Sequence, residues 1–245
     1  MDNNEPRIID RLVDSLRETL QVECKPWLDL SGKPQQATFI KTCIALRNQN
    51  GGYLIVGVKN QPRELLTPTP DYIPEQYIED NLHKILSGAV SEIFELQVHQ
   101  KKINDNVYPV IQIPDGVQTP VCATKTISAE GVDGPQEASR GKVLLRDRSV
   151  YVRTLMAGGA VATSEAGSKD WPELIRRCVE NRETHIALFL QRNFSPDALK
   201  QYGDAISTLL SQQPGSIQPQ RVDTILDRGA EAFRRAADIG PGDDK

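Results

Sequence analysis

Aromatic side chains are scarce in this chain, with Phe, Trp and Tyr together making up 5% of its 245 residues. Few rings are available to stack on nucleobases, so a nucleic-acid ligand would be held through its backbone more than through its bases. Cysteine is equally thin. Cys24, Cys43, Cys122 and Cys178 lie far apart and form no Cys-x-x-Cys pair, which leaves neither a zinc motif nor a disulfide framework. His83, His99 and His185 are just as scattered, so the close ligand spacing of a structural metal site is missing. There is no run of eighteen apolar residues, and nothing is expected to span a membrane. The acidic opening Met-Asp-Asn-Asn-Glu-Pro lacks the apolar centre of a secretory signal, so a cytoplasmic setting is the expectation. No Gly-x-x-x-x-Gly-Lys-Ser/Thr loop occurs, hence no ATP motif. Positive charge is not in excess either. Lys and Arg number 29 against 33 Asp and Glu, a net charge of −4, which argues against a protein coated in basic surface, although local clustering can override the global sum.

What is present suffices for a folded core, since 38% of residues are apolar and 25% charged. Ile8, Ile9, Leu12, Val13 and Leu16 recur at helical spacing and predict a helix over about residues 6 to 17. Leu20 to Trp27 reads as a strand. Ala37, Phe39, Ile40, Cys43 and Ile44 mark a second helix that stops at Asn50-Gly51, where glycine relieves a left-handed cap. Tyr53 to Val58 is a continuous apolar run of strand length and predicts a central, buried strand. A helix over about 75 to 87 follows, then strands at 93 to 100 and 107 to 113 joined by the turn Asn104-Asp-Asn106. Residues 127 to 141 read as a long loop, and 143 to 153 as the last strand or strand pair. Composition shifts between Ala157 and Gly167. Beyond it, Asp170 and Glu173 predict a capping box for a helix with an apolar stripe from Leu174 to Leu190, and two further helices are expected over 195 to 210 and 219 to 237. The fold class expected is therefore α+β, a mixed sheet with packed helices over residues 1 to 165, followed by a helical region over 166 to 245.

Strand alternation carries the first chemical statement. In Leu20 to Trp27 the side chains of Leu20, Val22 and Cys24 take one face, while Glu23 and Lys25 share the other, so a carboxylate and an ammonium point into one groove. Lys25 suits a phosphate contact or an ion pair. The most basic stretch follows later, where Arg140, Lys142, Arg146, Arg148 and Arg153 stand against a single acid, Asp147. Alternate strand positions there would line a nucleic-acid surface, or else guard an edge strand with charge.

The motifs Glu18-Thr-Leu-Gln-Val-Glu23-Cys-Lys25, Asn48-Gln-Asn-Gly51-Gly52-Tyr-Leu-Ile-Val-Gly57-Val58 and Tyr151-Val152-Arg153 occur in that order. This arrangement resembles the Schlafen AlbA_2 family over roughly residues 15 to 165. In that family the first signature reads Glu, four residues, Glu, a variable residue and Lys, matched here by Glu18, Glu23 and Lys25 with Cys24 at the variable place. The resemblance implies nucleic-acid binding, to RNA (tRNA among them) or DNA, in microbial defence or regulation. It also implies, for some branches, a metal-dependent endoribonuclease with a three-acid centre for Mg²⁺ or Mn²⁺. Glu18 and Glu23 would be two of those catalytic and metal-binding acids. The third place falls at Lys59-Asn60, and Asn60 supplies an oxygen without charge. Family members form a clamp from two lobes; one copy is present here, so a homodimer or higher oligomer is expected through the C-terminal helices. Three readings stand side by side: a phosphate-directed binder, a ribonuclease, and a scaffold subunit.

Overall fold

Residues whose side chains alternate between two apolar surroundings set the plan of the molecule. The computed structural model describes residues 5–68, 74–129, 142–195, 198, 200 and 201. It divides into two compact units, Met1–Cys178 and Val179–Lys245, and the division expected near residue 165 falls inside the first. The first unit is α+β, as expected. It comprises α1 (Glu5–Ser15), β1 (Val22–Lys25), α2 (Lys33–Asn48), β2 (Gly52–Val56), a 3-10 turn (Pro74–Tyr77), α3 (Glu79–Ser87), β3 (Gln97–Ile103), β4 (Asn106–Ile113), β5 (Ile127–Ser128), β6 (Val143–Leu145), β7 (Tyr151–Leu155), β8 (Val161–Glu165) and the start of α4 (Trp171–Asn193).

The main sheet runs β1-β2-β4-β3. β1 pairs parallel to β2, with Glu23 beside Leu54 and Lys25 beside Val56, and β4 pairs antiparallel to both β2 and β3. One face, carrying Val22, Cys24, Ile55 and Val110, packs on Ile9 and Val13 of α1. The other, carrying Leu54, Val56, Ile111 and Ile113, packs on Phe39, Ile40, Cys43 and Ile44 of α2. Because both faces of β2 are covered, its sequence is apolar throughout, which is why the run read as a buried strand. Cys43 and Cys178 are buried among apolar neighbours, as their helix positions implied.

The Gly-Gly turn between α2 and β2 is a matter of backbone approach. At Gly52, φ is +152° and an added Cβ would lie 2.2 Å from the carbonyl oxygen of Gln21, whose neighbouring ladder bond to the Tyr53 N–H spans 2.8 Å. Gly51 takes φ +85°, and an added Cβ would lie 2.8–2.9 Å from main chain of residues 113 to 115. Asn48, fully buried, joins three segments. Its Nδ2 donates to the carbonyls of Val121 (2.8 Å) and Tyr151 (2.9 Å), while its Oδ1 accepts from the Val121 N–H (2.8 Å). Its own carbonyl accepts from Arg177 of α4 at 2.6 Å.

The loop after β2 is tied at its base. Gly57, at φ +90°, leaves room for the Trp27 indole ring, whose Nε1 donates to the carbonyls of Leu66 and Thr67, both at 3.2 Å. The Leu66 N–H donates back to the Gly57 carbonyl at 2.8 Å. Trp27 also stacks on Tyr108 with ring centroids 5.7 Å apart.

Three expectations are corrected. Residues 161 to 165, read as part of a composition shift, form β8, which pairs with β7 in a hairpin. The capping box at α4 does not close: Asp170 Oδ2 accepts from the Gly167 N–H, and the Glu173 carboxylate is held by Arg176 and Arg177. Of the apolar stripe on α4, Leu174 and Cys178 are buried, whereas Ile175, Val179, Ile186 and Phe189 are exposed. The helices expected after residue 195, and most of the 127 to 141 loop, lie outside the described residues.

Replacing Asn48 by Ala strands a buried N–H and two carbonyls, so Asn48→Ala should lower unfolding stability by about 3 kcal/mol, since each orphaned group costs 1–3 kcal/mol. A urea titration checks this. An unchanged midpoint would remove Asn48 as the joint between α2 and the 121 and 151 segments.

Candidate functional site

β1 is the outer strand of the main sheet, and beside it lies a cleft of about 450 Å³. Glu18, Glu23, Lys25 and Asn60, singled out from the sequence, all line it. Lys41, with Thr38 and Thr42, comes from α2; Arg63 comes from the loop after β2; residues 160 to 163 come from the β8 side.

Glu23 is 3% exposed and is held from two sides. Its Oε1 meets the Lys25 ammonium at 2.5 Å, and its Oε2 is in direct contact with the Arg153 guanidinium. Arg153 was expected on an open basic surface; this is corrected, because its side chain is fully buried. In the β7–β8 register Arg153 stands opposite Thr163 and reaches inward onto β1. Its Nη2 donates to the carbonyls of Thr19 (3.0 Å) and Val22 (3.1 Å), and its Nη1 to Thr163 Oγ1 (3.2 Å). Burial lowers its pKa to about 10, with Glu18 opposing, so it stays charged at neutral pH.

Glu18 accepts the Cys24 N–H at 3.3 Å through Oε1 and the Arg63 guanidinium at 2.5 Å through Oε2. Burial and the Glu18 charge push the Cys24 thiol up to about 11, so it is no nucleophile at neutral pH. Two lysines also line the cleft, Lys41 and the Glu23-paired Lys25. Burial lowers the pKa of Lys25, with Glu18 and Cys24 opposing. Lys41 is lowered by burial and further by Lys25 and Lys142, and its Nζ sits 5.8 Å from the Tyr151 ring centroid. Lys142, exposed beside β6, thus belongs to the electrostatic surroundings of the cleft. Arg146 and Arg148 are exposed in the β6–β7 turn and do not line the cleft; Arg140 lies outside the described residues.

A hard divalent cation needs convergent oxygens whose charge is not already spent. Here Glu23 is bonded to Lys25 and Arg153, Glu18 to Arg63, and the third position is an amide, Asn60. Among the described residues, no trio of Asp, Glu, His or Cys is gathered that could hold a metal ion. The arrangement does not fit the Mg²⁺ or Mn²⁺ centre that the resemblance implies. It fits a cationic cleft with internal counter-charges.

Sequence reasoning missed Lys41, Arg63 and Thr163. Thr38, Lys41 and Thr42 follow helical spacing and interrupt the otherwise apolar run from Ala37 to Leu46, a signal that was there to use. Arg63 sits in a proline-rich loop, and no periodicity marks it.

Removing Arg153 alone leaves Glu23 buried with half its compensation. Arg153→Met should therefore cost about 4 kcal/mol in chemical denaturation, and adding Glu23→Gln should recover a substantial part of it. Equal stabilities for the single and double variants would show that the two charges are not coupled.

Comparison with known proteins gives the following. A sequence model of the Schlafen AlbA_2 family matches residues 18–153, a span that opens at Glu18 and closes at Arg153. An uncharacterized ATP-binding protein of Ureaplasma parvum is 27% identical over 139 residues, which is 54% of this chain and 38% of that protein. The chain thus spans well under half the length of this curated relative. Among solved structures, the DIP2311 protein of Corynebacterium diphtheriae aligns over 71% of this chain and 29% of its own, at 12% identity and a TM-score of 0.44. The N-terminal domain of a RecG-related protein of Nitrosomonas europaea aligns over 53% and 83% respectively, at 20% identity and a TM-score of 0.35.

Proposed function

Because this chain belongs to the Schlafen AlbA_2 family, we propose that it binds RNA or DNA through backbone phosphates, without a metal and without cutting the strand. The observation that carries this reading is the grouping of Lys25, Lys41 and Arg63 around one cleft, with Lys142 close enough to depress Lys41. Closely spaced cations repel one another, and an incoming phosphate relieves that repulsion. The carboxylates serve a different purpose in this account. Glu23 and Glu18 hold Lys25, Arg153 and Arg63 in place, as counter-ions that fix where positive charge is presented. Arg146 and Arg148, exposed beyond β6, extend the basic surface for a longer ligand.

The ribonuclease reading has one observation in its favour, the convergence of Glu18, Glu23 and Asn60 on the cleft. Against it stand the ion pairs just described, which leave neither carboxylate free for a cation. Titrating tRNA and single-stranded DNA in Mn²⁺ and in EDTA separates the two. Equal, salt-sensitive affinity in both conditions and intact strands are expected. Lys41→Gln should weaken binding to unrelated sequences alike and lower the salt slope by about 1, as loss of one phosphate contact does. Cleavage that EDTA and Glu23→Gln both abolish would overturn the proposal in favour of the nuclease.

The pH dependence follows from the lysines. Both Lys25 and Lys41 lie below the ordinary lysine value, and a phosphate needs them protonated. Affinity should fall as pH rises, beginning below the range of an exposed lysine, and Lys41→Arg should move that fall upward. An anisotropy titration across alkaline pH tests it; a profile unmoved by Lys41→Arg would take Lys41 out of the binding surface.

A further inference from the structure

Beside the first cleft lies a second, of about 440 Å³, reached on the far side of Glu18 and Val161, which line both. Arg17 and Gln49 border it, as do Leu155 and Gly159 from the β7–β8 hairpin. The two hollows therefore adjoin along the start of β8. An extended strand fits such a track better than a single nucleotide does.

The hairpin tip stands at this junction. Leu155, which borders the second hollow with Arg17 and Gln49, is 63% exposed, and Met156, the next residue along, is 54% exposed. The turn that presents them is well defined. The Met156 N–H donates to the Ala160 carbonyl at 2.7 Å, and the Gly159 N–H to the Met156 carbonyl at 3.0 Å. Gly158 and Gly159 take φ +99° and +81°, and a Cβ on either would meet nothing within 4 Å. Glycine is thus needed there for backbone conformation and not for space, which means that the tip projects into the open. Midway along the same hairpin, buried Arg153 ties it to the carbonyls of Thr19 and Val22.

We infer that Leu155 and Met156 form an apolar platform on which the bases of a single-stranded nucleic acid rest as its backbone passes from one cleft into the next. This rests on the phosphate-binding reading and adds to it the part of the ligand that faces away from the cations. Leu and Met side chains cover base faces in other proteins, where reaching the faces inside a duplex costs unstacking; a single strand offers them without that cost. Covering a face reads no hydrogen-bonding edge, so the platform favours single strands without selecting sequence.

The experiment uses the full chain and three labelled probes of equal length: a mixed-sequence single strand, an abasic deoxyribose-phosphate strand, and a duplex. With Leu155→Ser/Met156→Ser, affinity for the base-bearing single strand should fall about tenfold, toward the lower end of what one aromatic–base stack supplies, while the abasic strand binds as before. Leu155→Phe/Met156→Phe should tighten the base-bearing strand only, which keeps the test decisive even where the serine variant folds poorly. Lys41→Gln/Lys142→Gln should weaken both strands alike. Equal behaviour of base-bearing and abasic strands toward both hairpin variants would overturn the platform while leaving the phosphate reading intact. Indifference of the abasic strand to the lysine variant would overturn that reading itself. A change in self-association by light scattering with no change in oligonucleotide affinity would also overturn the platform and assign the tip to protein contact.

Discussion

The contact between Glu23 and Arg153 is the constraint on which the rest of this domain depends. Two full charges are removed from water there, an arrangement that costs several kcal/mol per ion unless geometry and further hydrogen bonds make up for it. The structure supplies most of those bonds: Arg153 also takes the carbonyls of Thr19 and Val22 and the hydroxyl of Thr163, and Glu23 also takes Lys25, while Arg153 Nε is buried without a hydrogen-bond partner among the described residues. In doing so it closes the open side of β1. An outer strand presents main-chain carbonyls to any passing chain, and here the Val22 carbonyl, already bonded by the Thr19 N–H, also accepts from a guanidinium of a separate hairpin. One side chain therefore docks β7–β8, protects the sheet, and aims Glu23 and Lys25 at the cleft wall.

Much of this was legible in the chain. The periods of α1, α2 and β2, the β3–β4 hairpin around Asn104, and the shared face of Glu23 and Lys25 followed from spacing alone. β8 did not. Val161-Ala-Thr-Ser-Glu165 has little apolar alternation because its ladder partner is the half-polar Tyr151-Val-Arg-Thr-Leu155, although Gly158-Gly159 was an available hairpin signal. Arg153 was misplaced for a related reason. Local pattern treats a basic residue on a strand as facing solvent, and only the pairing across the hairpin and onto β1 reveals an interior position. Arg63 reaches Glu18 across 45 residues of sequence, from a loop that has no pattern to read.

The same acids take on different chemistry according to what surrounds them. A carboxylate pair beside amide and hydroxyl groups would invite a divalent cation; the same pair bonded to Lys25, Arg63 and Arg153 becomes a frame for fixed positive charge. The difference rests largely on Arg63 and Arg153, contributed by two segments remote in sequence. Spacing within Glu18-x-x-x-x-Glu23-x-Lys25 is blind to it.

The clamp formed by Trp27 and Gly57 gives the domain a replaceable part. The loop carrying Asn60 and Arg63 departs from β2 and returns to it within a few residues, pinned at its base by the indole and by the Leu66 amide. Its foot is held by these bonds and its crown lends Asn60, Gln61 and Arg63 to the cleft, so the crown can be lengthened, shortened or recharged while the bonds at the foot stay in place. A carboxylate-rich crown and a guanidinium-bearing one would sit on identical foundations, which makes this short arch the place where a single scaffold could be tuned from one ligand chemistry to another.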